Sequence, residues 1–315
     1  MIEPRGGDSG QIRRLVPPEW RSLLANILKF FLGCLVPILW ANVGSASPAA
    51  ATLAAQILDA AKPAAERDAL IAAHAGRAGE LMAAMTEKLP VGTDDEYKAI
   101  PWIWKVAIAA GKRNDAAELK SLIGVTLPQS GEPLRDWQAV VVGGGIINGL
   151  SLTGVWPGER IAEILRADKD LKTRWSSLLE SAAVMADNEK IRSGTRYDAL
   201  RVVAMDTWER QGARLEKYLN QTANAELQQG AVSGLSDVKS RRVAPALIGA
   251  WKNLAKRNRN FALDALLRDE SRIAALLDAM ADGRIEAASL GAERMQKLKT
   301  LPNSKLRTRA EKILK

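Results

Sequence analysis

The 315-residue chain has one cysteine, one histidine, three phenylalanines and three tyrosines. The single Cys34 excludes a disulfide framework, a cysteine-type zinc site and covalent c-type haem attachment, which needs Cys-x-x-Cys-His. His74 alone leaves little for a histidine metal site or a histidine-dependent triad. With aromatics at 5%, Ala, Leu, Ile and Val must build most of the core, and small-residue cores suit closely packed helices better than β-sandwiches. No segment alternates with period two for long enough to argue a sheet. The chain is 47% hydrophobic and 26% charged, too apolar for a disordered chain.

The N-terminus reads as an export signal. Arg13, Arg14, Arg21 and Lys29 precede an unbroken apolar run, Phe30 to Ala41, and Gly44-Ser45-Ala46 then supplies small residues for cleavage after Ala46. The run is shorter than the roughly 20 residues a membrane-spanning helix needs, and the alternative is an uncleaved anchor extended to Val43. Arg13-Arg14 invites a twin-arginine reading, but Leu15-Val16-Pro17 continues it poorly. Cys34 sits inside the apolar run, so it does not mark a lipoprotein end. The expectation is an exported protein of the periplasm or cell envelope with a cysteine-free mature chain.

From residue 49 to residue 314, helix-length apolar patterns alternate with short breaks. Leu227, Ala231 and Leu235 recur at helical spacing, as do Ile273, Leu276, Leu277 and Met280. Breaks carry turn and cap residues, such as Pro90-Val91-Gly92-Thr93, Asp282-Gly283 and Pro302-Asn303-Ser304. The patterns predict helices that include 96–111, 134–150, 196–209, 241–255 and 270–281. The fold class is therefore all-α. Three segments align around Ala204, Ala231 and Ala262, with Trp208, Leu235 and Leu266 one turn later. Unequal offsets of 27 and 31 residues fit degenerate helical-hairpin repeats stacked into a solenoid; an irregular helical bundle is the rival. The organisation reads as a signal peptide at 1–46, divergent helical repeats at 47–150, and HEAT-like repeats with a basic end at 151–315.

Leu227-Gln-Gln-Gly-Ala-Val-Ser-Gly-Leu-Ser-Asp-Val followed by Val243-Ala-Pro-Ala-Leu-Ile resembles a HEAT-type repeat. Asp170-Leu-Lys-Thr-Arg-Trp-Ser-Ser-Leu-Leu-Glu, Asn260-Phe-Ala-Leu-Asp-Ala-Leu-Leu-Arg, Ile273-Ala-Ala-Leu-Leu-Asp-Ala-Met and the closing Leu301-Pro-Asn-Ser-Lys-Leu-Arg segment are more particular. Together they resemble the HEAT region of large exported haem-binding, membrane-bound dehydrogenase-like proteins, over about 155–315 and more loosely over 50–150. In that family the repeats are joined to a c-type cytochrome domain and often a β-propeller. Without Cys-x-x-Cys-His, haem binding and dehydrogenase activity do not carry over. What the resemblance implies here is a scaffold, with a cytochrome-type domain as a natural partner.

Several chemical motifs fail on inspection. Val140-Val-Val-Gly-Gly-Gly-Ile-Ile-Asn-Gly resembles a dinucleotide-binding turn, but Asn148 stands where the third glycine belongs and no second strand follows. Gly149-Leu-Ser151-Leu-Thr-Gly154 misses the nucleophile-elbow spacing, with Thr153 in place of the second glycine. Asp94-Asp95-Glu96 after Thr93 fits helix capping and dipole compensation. His74 reads as a helix-end residue, and Glu159 with Glu163 as a solvated face. Trp102, Trp104, Trp137, Trp156 and Trp175 read as gap-fillers between helices, with an aromatic binding surface as the alternative.

Charge is lopsided. Residues 231–315 carry 18 Lys and Arg against 9 Asp and Glu, whereas residues 47–230 carry 22 against 24. Candidate partner-binding residues are therefore Lys239, Arg241, Arg242, Lys252, Lys256, Arg257, Arg259, Lys305, Arg307 and Arg309, which would steer an acidic partner. No catalytic residue, metal ligand or cofactor is expected. The resulting expectation is a non-enzymatic exported scaffold for a protein partner. The alternatives are an envelope binder of anionic glycan or lipid, and one part of a split multidomain haem-binding protein. Export would keep the chain from nucleic acid, and membrane contact would come only through an uncleaved N-terminus.

Overall fold

Side-chain caps open many of the helices. Ser47 Oγ accepts from Ala50 N–H and starts α1 (Pro48–Leu58). Helices α2 (Ala64–Ala73) and α3 (Ala78–Thr86) follow. Thr93 Oγ1 accepts from Glu96 N–H to open α4 (Asp94–Arg113), whose first turn is acidic and last turn basic, as the helix dipole favours. Asn114, in the left-handed conformation at φ 55°, closes α4, and Asp115 caps α5 (Ala116–Thr126). A computed structural model describes residues 47–129 and 131–314. The expectations about the leader, Cys34 and cleavage after Ala46 lie outside the described residues.

The helix expected at 134–150 has three parts. A short α6 (Asp136–Ala139) runs into a π-helical segment (Val140–Ile147), which returns to α geometry in α7 (Asn148–Leu152). Then come α8 (Pro157–Leu165) and α9 (Lys169–Asp187), the latter capped by Asp168. The helix expected at 196–209 divides into α10 (Ser193–Val203) and α11 (Trp208–Asn220). Asp206 causes the break: its carboxylate accepts from Thr207 N–H and from the Gln211 side chain, giving the backbone a non-helical alternative. Trp208 thus opens a new helix and does not match Leu235. Asn224 caps α12 (Ala225–Ser236). The expected 241–255 helix is shorter, α13 (Val243–Gly249), followed by a 3₁₀ turn at Trp251–Asn253. The chain continues through α14 (Lys256–Leu266), α15 (Glu270–Ala281), α16 (Gly291–Lys299) and α17 (Ser304–Ile313).

The all-α reading holds: no strand occurs among the described residues. Several helices pack on their second neighbours in sequence, while α4 packs extensively on the π segment and α9 on the adjacent α10. In one row α10 packs on α12 and α12 on α14; in another α13 packs on α15 and α15 on α17. Near the start, α1 packs on α3 and α3 on α5. Small residues permit the close crossings. Ala231 and Ala262 are fully buried, and a Cβ on Gly234 would come within 2.9 Å of the Ala204 Cβ. One hydrophobic cluster runs from Leu53 to Ala310, and α7 crosses position 150 without a break.

Candidate functional site

The largely apolar character of 140–150 is explained by burial between two helices. A Cβ on Gly143 would stand 2.2 Å from the Asp198 carbonyl oxygen, and one on Gly145 would stand 2.2 Å from the Ala107 Cβ. The glycines therefore let α10 approach the π segment from one side and α4 from the other. Gly149 and Gly111 bring α7 and α4 together in the same way. This is a packing device, and no nucleotide turn is formed.

A groove opens where these elements meet. Tyr97, Ile100, Pro101 and Trp104 form one stripe of α4 along it. Val140, Gly144 and Asn148 line its floor, and Tyr197, Asp198 and Arg201 of α10 form the facing wall, with Glu226 of α12 beyond. Its volume is about 520 Å³. A second cavity of about 420 Å³ shares Tyr197 and Glu226 with the first and extends to Arg257 and Asn258 of α14. The two cavities adjoin at Tyr197 and Glu226, on α10 and α12. Trp104 Nε1–H donates to the Gly144 carbonyl at 2.8 Å, fixing the indole against the π segment. π-Helical turns occur often at functional sites because they reposition side chains and carbonyls.

Asp198 is the exceptional group. Burial pushes its carboxyl up to about 8, with Arg201 opposing and Glu226 adding to the rise. Its carboxyl forms none of the side-chain hydrogen bonds or ion pairs among the described residues. Arg201 is turned away, donating through Nη2 to Asp237 at 2.8 Å, while its own Nε finds no acceptor. Tyr97 Oη–H donates to Asp136 Oδ2 at 2.8 Å, and both its burial and that carboxylate raise its pKa. The Arg192 guanidinium lies 3.2 Å from the centre of the Tyr97 ring. The groove thus combines aromatic walls, one protonatable carboxyl without a protein donor and a rim of mixed charge, Arg192, Glu226 and Arg257. That equipment suits recognition of an extended segment.

The ten basic residues singled out in the sequence are not gathered at this groove; only Arg257 lines it. Lys239 pairs with Glu159 and Arg242 with Glu209, and Arg309 meets Asp278. Arg259 donates to the carbonyls of Trp251 and Lys252, and Arg307 to that of Leu301. Arg241, Lys252, Lys256 and Lys305 are exposed and pair with no acid among the described residues. Arg241 and Arg242 line a separate cavity of about 510 Å³ with Trp208 and Pro245.

The other motifs are occupied structurally. Ser151 Oγ accepts from Arg268, the His74 ring bonds the Leu70 carbonyl at the end of α2, and Glu163 bonds Arg160. Trp102 and Trp137 are buried in the core, and Trp156 lies against Arg268 and Arg272. Of the five tryptophans, only Trp104 lines the groove. Among the described residues no cluster of three His, Cys, Asp or Glu could hold a metal ion, and no single helix is long and apolar enough to cross a membrane. Sequence reasoning missed Tyr97, Asp198 and Glu226. The available signal was weak: Asp198 is one acid among the polar residues Thr195, Arg196 and Arg201 of the same helix.

No protein-family model matches this chain, and no curated protein matches it.

Proposed function

We propose that the chain is a non-enzymatic scaffold, an α-solenoid of HEAT-like helical hairpins exported to the cell envelope, which docks a segment of a protein partner in the groove. The observation that carries this reading is the pair of adjoining cavities along α10, α12 and α14, which share Tyr197 and Glu226. Stacking of alternate helices holds that surface rigid before binding, which lowers the ordering cost of association. The second-neighbour packing supports the solenoid arrangement over an irregular bundle. The unpaired Arg241, Lys252, Lys256 and Lys305 support electrostatic steering of a partner with an acidic surface, a rate effect that weakens with salt. The sequence resemblance makes a c-type cytochrome or dehydrogenase subunit the natural candidate.

Photo-crosslinking tests the reading. Benzoylphenylalanine placed at Gln229, which lines the groove, is expected to give one adduct in cells. Its crosslink should map to one contiguous segment of a single envelope protein. Adducts confined to glycan or lipid would support the anionic-polymer alternative, and the absence of any adduct would remove the docking reading.

A further inference from the structure

We infer that the partner's docked segment is bipartite, with an apolar anchor in the cavity between α4 and α10 and acidic residues against Lys252, Lys256, Arg257 and Arg259; this rests on the docking reading above. The stretch from Lys239 to Leu263 holds seven cations and no acid. Lys239 and Arg242 are paired with Glu159 and Glu209 of other helices. Lys252, Lys256, Arg257 and Arg259 fall within eight residues, and none of them forms an ion pair with an acid among the described residues.

The four cations gather at the α14 end of the paired cavities. Lys252, Lys256 and Arg257 are exposed, and Arg257 itself lines the second cavity. Arg259 donates to the carbonyls of Trp251 at 3.2 Å and Lys252 at 3.1 Å, which pins it beside the turn that carries Lys252. Those carbonyls satisfy its hydrogen bonds without neutralising its charge. Nearby acids are mostly engaged: Asp264 pairs with Arg294, Asp269 with Arg272 and Asp278 with Arg309, while Glu270 accepts from Asn303. Glu226 is the acid that shares a cavity with Arg257. Four cations against one acid leave this end positive, the sign that an acidic segment complements.

The first cavity has a different character. Ile100, Pro101, Trp104 and Val140 give it an apolar wall, and its charges are of both signs, Arg192 and Arg201 against Asp198 and Glu226. An aliphatic or aromatic side chain suits such a wall, with the polar groups fixing its orientation. The distance between the two parts sets a spacing. α10 packs on α12 and α12 on α14, and packed helix axes lie about 8–10 Å apart, so α14 stands roughly 16–20 Å from α10. An extended chain covers that distance in about five or six residues.

A random-peptide display library panned on the full chain in about 150 mM NaCl tests this. Selected peptides should crosslink to benzoylphenylalanine at Gln229. They should share an apolar residue with acids about five or six residues away. Lys252→Gln combined with Lys256→Gln, both at exposed positions, should weaken their binding about tenfold and reduce its salt dependence. Glutamine in place of the peptide acids should cause a similar loss on the parent chain. Arg241→Gln combined with Lys305→Gln removes the same net charge away from the two cavities and should change binding by less than about twofold. Polyglutamate of equal length lacks the anchor and should bind at least about tenfold more weakly. Selected peptides without acids, an unaffected Lys252 and Lys256 double variant, an equal loss in the Arg241 and Lys305 double variant, or equally tight polyglutamate would each overturn the bipartite inference while the docking reading stands. If no selected peptide crosslinks at Gln229, both fall.

Discussion

Arg201 and Asp237 form an ion pair of 2.8 Å whose side chains are 5% and 0% exposed. The pair joins α10 to the residue that closes α12. The second Asp237 oxygen accepts from Arg268 at 2.7 Å, and Arg268 also donates to Ser151 Oγ and the Val155 carbonyl. One carboxylate thereby ties the 151–155 segment to three stacked helices. It also keeps Arg201 away from Asp198, which leaves the groove carboxyl without a donor.

Removing that carboxylate strands the buried Arg201 guanidinium and the half-buried one of Arg268. Asp237→Ala is expected to cost about 3–5 kcal/mol in a urea melt, because the loss is mainly an uncompensated buried charge. A cost below about 1 kcal/mol would show that water reaches the site and that the network is not a true clamp.

The glycines of the π segment give a paired test. Gly143→Ala puts a methyl where the Asp198 carbonyl oxygen stands, and neither backbone can yield easily. A loss of about 3 kcal/mol is expected. Gly249→Ala, in α13 with nothing within 4 Å of the new Cβ, should be neutral or stabilising by up to about 1 kcal/mol. Equal effects would mean that α10 does not press on the π segment.

Asp198 should leave a signature on stability even without a ligand. Its folded pKa, about 8, lies above its ordinary value of 3.8, chiefly through burial. Between those values the folded chain holds a proton that the unfolded chain has released. Stability contributed by this group therefore falls as pH rises from about 4 to about 8. Asp198→Asn should flatten that slope and be more stable than the parent at about pH 9 by about 1–3 kcal/mol. Denaturant midpoints across this range measure it, and parallel curves for the two proteins would refute it.

Glu118 should behave in the opposite sense. Burial pushes its carboxyl up, but Arg113 and the backbone N–H groups of Ala78 and Gly76 more than offset that and hold it below the ordinary 4.5. Its contribution is present above about pH 4.5 and is lost as pH falls through the lower folded value. Glu118→Gln is expected to cost about 1–3 kcal/mol at pH 7 and progressively less towards about pH 3. A constant difference across that range would count against the ionised hydrogen bonds.

Much of the helical layout was legible because its signals are local. The pattern Ile273, Leu276, Leu277 and Met280 placed α15 correctly, since Asp269 caps it and Gly283, at φ 69°, supplies the turn that follows. The acids after Thr93 mark the start of α4 for the same reason. Two interruptions were hidden. Asp206 stops a helix by side-chain competition that the apolar spacing does not reveal. The run Val140–Ile147 has no polar contrast from which a period could be read, so its π geometry left no trace in the pattern.

The groove was not legible at all. Tyr97, Gly144, Asp198 and Glu226 belong to four separate elements, and no short spacing relates them. Their types gave no warning either, because an aspartate in a helix normally faces water. The basic residues were conspicuous in sequence, yet several are engaged by acids or carbonyls contributed from elsewhere.

Caps, helical periodicity and the scarcity of cysteine and aromatics were enough to settle an all-α chain, because each acts within a few residues. Where a cavity opens, and which carboxyl lines it, depends on how closely α4, α10 and α12 approach the π segment. Those approaches are fixed by long-range packing, through glycines whose partners lie far along the chain, and packing of that kind has no local sequence signature.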